Sequence, residues 1–128
     1  FKVRIHALHA NKRKGQESGA EDRITFPSHY GNCATCHDKG QLSMKNLDEV
    51  PATQTTDPEL GRVEFSPTAA TCISCHGVKE SIVAHIRSEG GAANDPVGTY
   101  VPGSETCATC HAEGKAFGVD KVHPVIFK

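Results

Sequence analysis

Apolar residues are thinly spread along this chain and gather in a few helix-length stretches separated by turn-rich text. The first stretch, Lys2-Val-Arg-Ile-His-Ala-Leu-His-Ala-Asn-Lys-Arg, predicts a helix over 2–13 that Gly15 stops. Its His6 and His9 stand three positions apart, which puts both imidazoles on one helical face. A second helix is predicted at about 78–89, where Val78, Ile82 and His85 recur at helical spacing and Gly90-Gly91 ends the pattern. That stripe would turn His85 toward the core. From Asp38 to Thr71 the chain is polar and interrupted by Pro51, Pro58, Gly61 and Pro67, which predicts a wrapping loop without regular structure. The stretch Gly90 to Pro102 reads similarly, and only Val97–Val101 and 122–127 have any strand character. The expected architecture is one domain over 1–128, mostly irregular, with short α-helices at 2–13, near each cysteine pair and at 78–89, and little or no sheet.

Composition makes this arrangement harder to understand. Leu, Ile, Val and Phe together number 25 of 128 residues, there is no Trp, and mean hydropathy is −0.42. Such values border on those of disordered chains, yet 14 Lys and Arg against 15 Asp and Glu leave a net charge of only −1. A core built partly from something other than side chains reconciles the two. The charge balance offers no basic patch for nucleic acid, and no apolar run approaches the roughly 18–20 residues that cross a membrane as a helix. The chain starts at Phe1 without a charged start, apolar stretch and cleavage site, and so reads as a mature product or an excised piece.

The cysteines supply the missing element. All six fall into three pairs of one spacing, Cys33-Ala-Thr-Cys36, Cys72-Ile-Ser-Cys75 and Cys107-Ala-Thr-Cys110, followed at once by His37, His76 and His111. Cys-x-x-Cys-His is the haem c attachment pattern: two thiols reach both vinyl groups of one porphyrin, and the next imidazole takes an axial position on its iron. Disulfides would not require a histidine after every second cysteine. Zinc would pair two motifs and strand the third, and a thioredoxin-like pair normally occurs once, in an α/β pattern absent here. Three haem c groups would supply much of the core. Thioether formation, which needs reduced thiols and haem outside the cytoplasm, implies an exported protein.

Five histidines, His6, His9, His29, His85 and His123, remain as candidates for the other axial position of three irons. His123 alone follows the last motif, with Pro124 biasing it toward extended backbone, and His29 in Pro27-Ser-His-Tyr reads as a turn residue beside the first motif. Each also has the ordinary reading of a surface or hydrogen-bonded histidine. The lone Met44 lies in a polar stretch and reads as a surface residue. Bis-histidine ligation predicts low-spin, low-potential irons with closed coordination, which suits electron passage better than substrate binding.

With these residues laid out, the chain resembles the outer-surface decahaem cytochromes of metal-reducing bacteria, the OmcA/MtrC family, over the last three haems of one five-haem module. The resemblance runs through Ile5-His-Ala-Leu-His9, Phe26-Pro27, Asn32 to His37, Ser66-Pro-Thr-Ala-Ala, His85 before Gly90-Gly91, Glu105 to His111, and Val119-Asp-Lys-Val-His123. It implies His6, His9, His85 and His123 as distal ligands, one more than three irons need, and gives His29 no counterpart. It also implies electron delivery at the cell surface to other multihaem cytochromes, metal ions, minerals or soluble shuttles. A subunit of a haem filament and a reductase with one open haem are the competing classes.

Overall fold

The computed structural model describes Ile5, His6, 32–38, Met44 and 49–123. Its centre is a three-stranded antiparallel sheet of order β1-β2-β3, formed by β1 (Thr53–Asp57), β2 (Gly61–Phe65) and β3 (Ala93–Pro96). This overturns the expectation of little or no sheet. The residues read as loop breakers build the hairpin. Pro58 presets its own φ, the Asp57 Oδ1 accepts the N–H groups of Glu59 at 2.9 Å and Leu60 at 3.1 Å, and Gly61 takes φ +77°. β1 then pairs with β2 from Thr53↔Phe65 to Asp57↔Gly61, and Arg62 Nη2 donates across the pair to Gln54 Oε1 at 2.8 Å.

β2 is central and covered on both faces. Val63 and Phe65 point one way into the core, while Glu64, only 3 % exposed, points the other, where its Oε1 accepts the Tyr100 N–H at 2.6 Å. β3 is Ala-Asn-Asp-Pro, and an irregularity between Glu64 and Phe65 of its partner strand is matched by Asn94 at φ +61°. Asn tolerates this left-handed conformation better than most residues. Pro96 lies at the end of an outer strand, where a missing N–H costs least. Val97–Val101 is not a strand; it leaves the sheet through a turn with Gly98 at φ +94°.

Two helices close the core. α1 (Pro67–His76) begins with Pro at its first position and buries Ala69, Ala70 and Ile73 on Val63, Phe65 and Ala93. α2 (Glu80–Ser88) adds Ile86, with Ile82 and Val83 partly buried beside it. Here a second expectation is corrected, because the core-facing stripe is Ile82, Val83 and Ile86; Val78 and His85 are exposed. Arg87 ties α2 to β3 through a 2.8 Å ion pair with Asp95. Two four-residue helices follow, α3 (Ala108–His111) and α4 (Val119–Val122), so Val122 is helical, and 124–127 lie outside the described residues. Of the helix expected over 2–13, Ile5 and His6 are helical and the rest lies outside the described residues. Among the described residues no helix is long and apolar enough to cross a membrane.

The double glycine after α2 has a packing role besides ending the helix. Gly90 sits at φ +74°, and a Cβ there would lie 2.2 Å from the Ser104 carbonyl oxygen; the Ser104 hydroxyl donates to the Gly90 carbonyl at 2.6 Å. Close approach at this point holds the segment leading to the third Cys-x-x-Cys-His against the end of α2. Gly90→Ala is therefore expected to destabilise the haem-loaded protein by about 2 kcal/mol or more, combining backbone strain with a clash against main chain. A thermal melt followed at the haem absorbance checks it, and an unchanged Tm would refute the close approach.

Candidate haem-binding sites

Each attachment motif is one turn of helix, and the turn is what converges its three functional side chains. In α1, Cys72, Cys75 and His76 occupy positions i, i+3 and i+4, so they share a face and leave Ala69 and Ile73 to the core. The first motif makes the same turn as a 3-10 helix, Cys33–Thr35, with the His37 N–H donating to the Cys33 carbonyl at 2.9 Å. The third repeats it in α3, where the His111 N–H donates to the Cys107 carbonyl, also at 2.9 Å. All six cysteines are unpaired thiols; Cys36 and Cys110 are exposed and the other four half-buried.

Among the described residues, a further histidine stands across from each motif histidine. The ring centres of His37 and His6 are 6.2 Å apart with planes 2° from parallel. Those of His76 and His123 are 6.1 Å apart at 61°, and those of His111 and His85 are 6.1 Å apart at 79°. Two imidazoles bound to one metal at about 2 Å from each nitrogen, with each ring centre about 1.1 Å further back, stand roughly 6.2 Å apart. All three separations fit an iron between the rings, and among the described residues no group of three or more His, Cys, Asp or Glu gathers as a bare metal ion would need. Of the remaining sequence candidates, His9 and His29 lie outside the described residues.

Two of these rings are held by backbone. His111 Nδ1 lies 3.0 Å from the Phe117 carbonyl and His123 Nδ1 lies 3.3 Å from that of Val119. A carbonyl can only accept, so Nδ1 carries the proton and Nε2 keeps the lone pair that a metal requires. The loop after His111 is shaped for this: the Phe117 N–H donates back to the Cys110 carbonyl at 3.2 Å, and Asp120 Oδ1 accepts the Gly114 N–H at 3.1 Å. Exposed apolar side chains sit nearby. Val78 is two residues from His76, Val122 adjoins His123, and the Phe117 ring centre is 6.4 Å from that of His111. Such groups suit the apolar edges and faces of a porphyrin.

Burial also shapes the thiols. Burial pushes the Cys72 thiol up to about 11, with the Glu105 carboxylate adding to the effect, and the same two causes push Cys107 up to about 11. Burial also raises Cys33. Reactive disulfide-exchange cysteines and thiolate ligands are normally shifted the other way. Cys33 and Cys75 lie near Cys72, and Cys72 near Cys107, closely enough for a thiolate at one to raise the next, so the second motif stands between the first and the third.

Glu105 is the site residue that sequence reasoning passed over. Its Oε1 accepts the Ser66 hydroxyl at 2.5 Å and the Ala69 N–H at 3.3 Å, and its Oε2 accepts the Thr68 N–H at 3.1 Å. Ser66 holds the N-cap position of α1 but its own side chain caps nothing, so a residue 39 positions away supplies the cap. Nothing in local spacing marks this; Glu105 stands out only as an acid two places before a motif.

Repeated Cys-x-x-Cys-His turns, each faced by a second histidine, are the features of a multihaem c-type cytochrome. Residues 1–124 match the family model described as outer membrane cytochrome MtrC/MtrF-like, domains II/IV, and the chain belongs to that family. The resemblance drawn from the sequence is thereby confirmed, and with it come haem c as cofactor, extracellular electron transfer, multihaem redox partners and the cell surface as setting. No curated protein sequence matches the chain.

Proposed function

We propose that this chain is a three-haem electron-transfer module in which His37 with His6, His76 with His123, and His111 with His85 each hold one iron. Cys33 and Cys36, Cys72 and Cys75, and Cys107 and Cys110 carry the thioether links. The observation behind this reading is the pairing itself, one facing histidine for every motif histidine at 6.1 to 6.2 Å. Haem, when bound, supplies a one-electron iron couple. The chain's part would be to hold each haem between two imidazoles, with Nε2 of His111 and His123 kept aimed by the bonds their Nδ1 makes to backbone carbonyls, which would leave no position for a substrate. His9 is then the surplus ligand that the family resemblance implies, available to a haem carried by another segment or chain. The module works outside the cytoplasm, passing electrons between multihaem partners and metals, minerals or soluble shuttles.

The decisive measurement is low-temperature EPR of the oxidised protein, with haem counted against protein. Three haems per chain, all low-spin, are expected. The spectra should also differ among sites. The near-parallel rings of His6 and His37 would, with an iron between them, give a rhombic signal. The strongly crossed rings of the other two sites would give signals with a larger maximum g. A high-spin ferric signal that persists on concentrating the protein would overturn closed coordination.

A further inference from the structure

The second and third sites are knitted together through one carboxylate. Glu105 lies two residues before Cys107, and its carboxylate is seated on the first turn of α1, accepting the backbone N–H groups of Thr68 and Ala69, one turn before Cys72. The carboxylate therefore ties the segment leading into Cys107 to the first turn of the helix that carries Cys72. Neighbouring bonds fasten the same segment: the Thr106 N–H donates to the Glu89 carbonyl at 2.9 Å and the Thr106 hydroxyl to Glu89 Oε2 at 2.6 Å. Further along, residues 112–123 orient His111 through the Phe117 carbonyl and carry His123 to His76, so this stretch also serves both sites.

Resting on the three-haem reading above, we propose that Glu105 is a positioning residue shared by the second and third haems. It pins the Cys107 segment to α1, and its charge holds down the reduction potentials of those two haems while leaving the first unaffected. A fixed negative charge favours the ferric form, which carries one more positive charge than the ferrous, and a partly buried location leaves that effect poorly screened. The selectivity rests on placement: Glu105 lies two residues before Cys107 and its hydrogen bonds reach Ser66, Thr68 and Ala69 at the start of the helix that carries Cys72, and its charge helps to raise the Cys72 and Cys107 thiols. The seat at a helix N-terminus, with a hydroxyl and two N–H donors, keeps the carboxylate in one place.

The test is a spectroelectrochemical titration of the haem-loaded wild type and Glu105→Gln, fitted to three one-electron components. Gln keeps an oxygen to accept from Ser66 and α1 but removes the charge. Two midpoints are expected to rise and the third to stay. Three unmoved midpoints, or three that move together, would overturn the role of Glu105 and leave the three-haem reading standing; a wild type without three reversible components would remove both. Should Glu105→Gln fail to mature, Glu105→Asp is titrated instead. It keeps the charge but draws it back from α1, so the protein should melt lower while the same two midpoints alone shift. Unchanged midpoints in a haem-loaded Glu105→Asp that melts lower would reduce the residue to a helix cap.

Discussion

Replacing His85 with alanine is expected to turn one haem of three high-spin and, after reduction, open it to carbon monoxide, with the other two unchanged. The expectation follows from the pairing, because among the described residues the rings beside His111 are those of His85 and of Phe117, which cannot ligate. His85 lies on the exposed side of α2 while Ile82, Val83 and Ile86 face the core, so alanine removes the proposed ligand without opening a cavity beneath the helix. Loss of a donor imidazole should also raise that haem's potential. His6→Ala and His123→Ala are expected to act in the same way on the first and second sites, and combining His6→Ala with His85→Ala should open two haems additively. Carbon monoxide binding per protein reads this directly. Added imidazole should restore the low-spin spectrum. A fully low-spin His85→Ala would mean that another histidine serves that iron, and the pairing would fall.

What the sequence revealed and what it concealed divide along physical lines. The attachment motifs were legible because their chemistry is local: Cys-x-x-Cys-His closes in one helical turn whatever surrounds it. The helix expected at 78–89 was found as Glu80–Ser88, since periodicity and the double glycine are local signals too. The sheet was not legible. Thr53-Gln-Thr-Thr-Asp carries no apolar alternation because β1 is an outer, solvent-facing strand, and β2 shows only Val63 and Phe65 around a glutamate that is itself buried. Ala-Asn-Asp-Pro has no strand propensity, and it pairs because β2 offers it an edge and Asn94 absorbs the irregularity. His85 was placed on the wrong side for a related reason. Spacing identifies a face, but only the partner determines whether that face meets side chains or a cofactor. The choice among five spare histidines is likewise nonlocal. His123 reaches back to the second motif and His6 forward to the first, contacts that no spacing rule contains.

The largest effect of all is expected from withholding haem. Among the described residues the buried apolar side chains are Val63, Phe65, Ala69, Ala70, Ile73, Ile86, Ala92 and Ala93, half of them alanine, and only one is aromatic. Ordering each residue costs on the order of 1–2 kcal/mol in backbone entropy, and alanines offset little of it by leaving water. The same imbalance is visible outside the core, where Val78, Phe117 and Val122 remain exposed beside the paired histidines. Covalent porphyrins would bury these side chains and cross-link segments far apart in sequence, which explains how so polar a chain can hold one structure. The chain made without haem, its thiols kept reduced, is accordingly expected to show no cooperative thermal transition and little dispersion of its amide resonances, whereas the loaded protein melts cooperatively. Partial loading should be graded. Changing Cys72 and Cys75 to serine would remove the haem proposed on α1, whose opposite face is the core itself, and should lower stability more than the same change at Cys33 and Cys36, whose 3-10 turn buries no residue. Native-like, cooperative unfolding of the haem-free chain would show that the protein core suffices alone, and an equal cost at the two motifs would show that α1 does not couple haem to sheet.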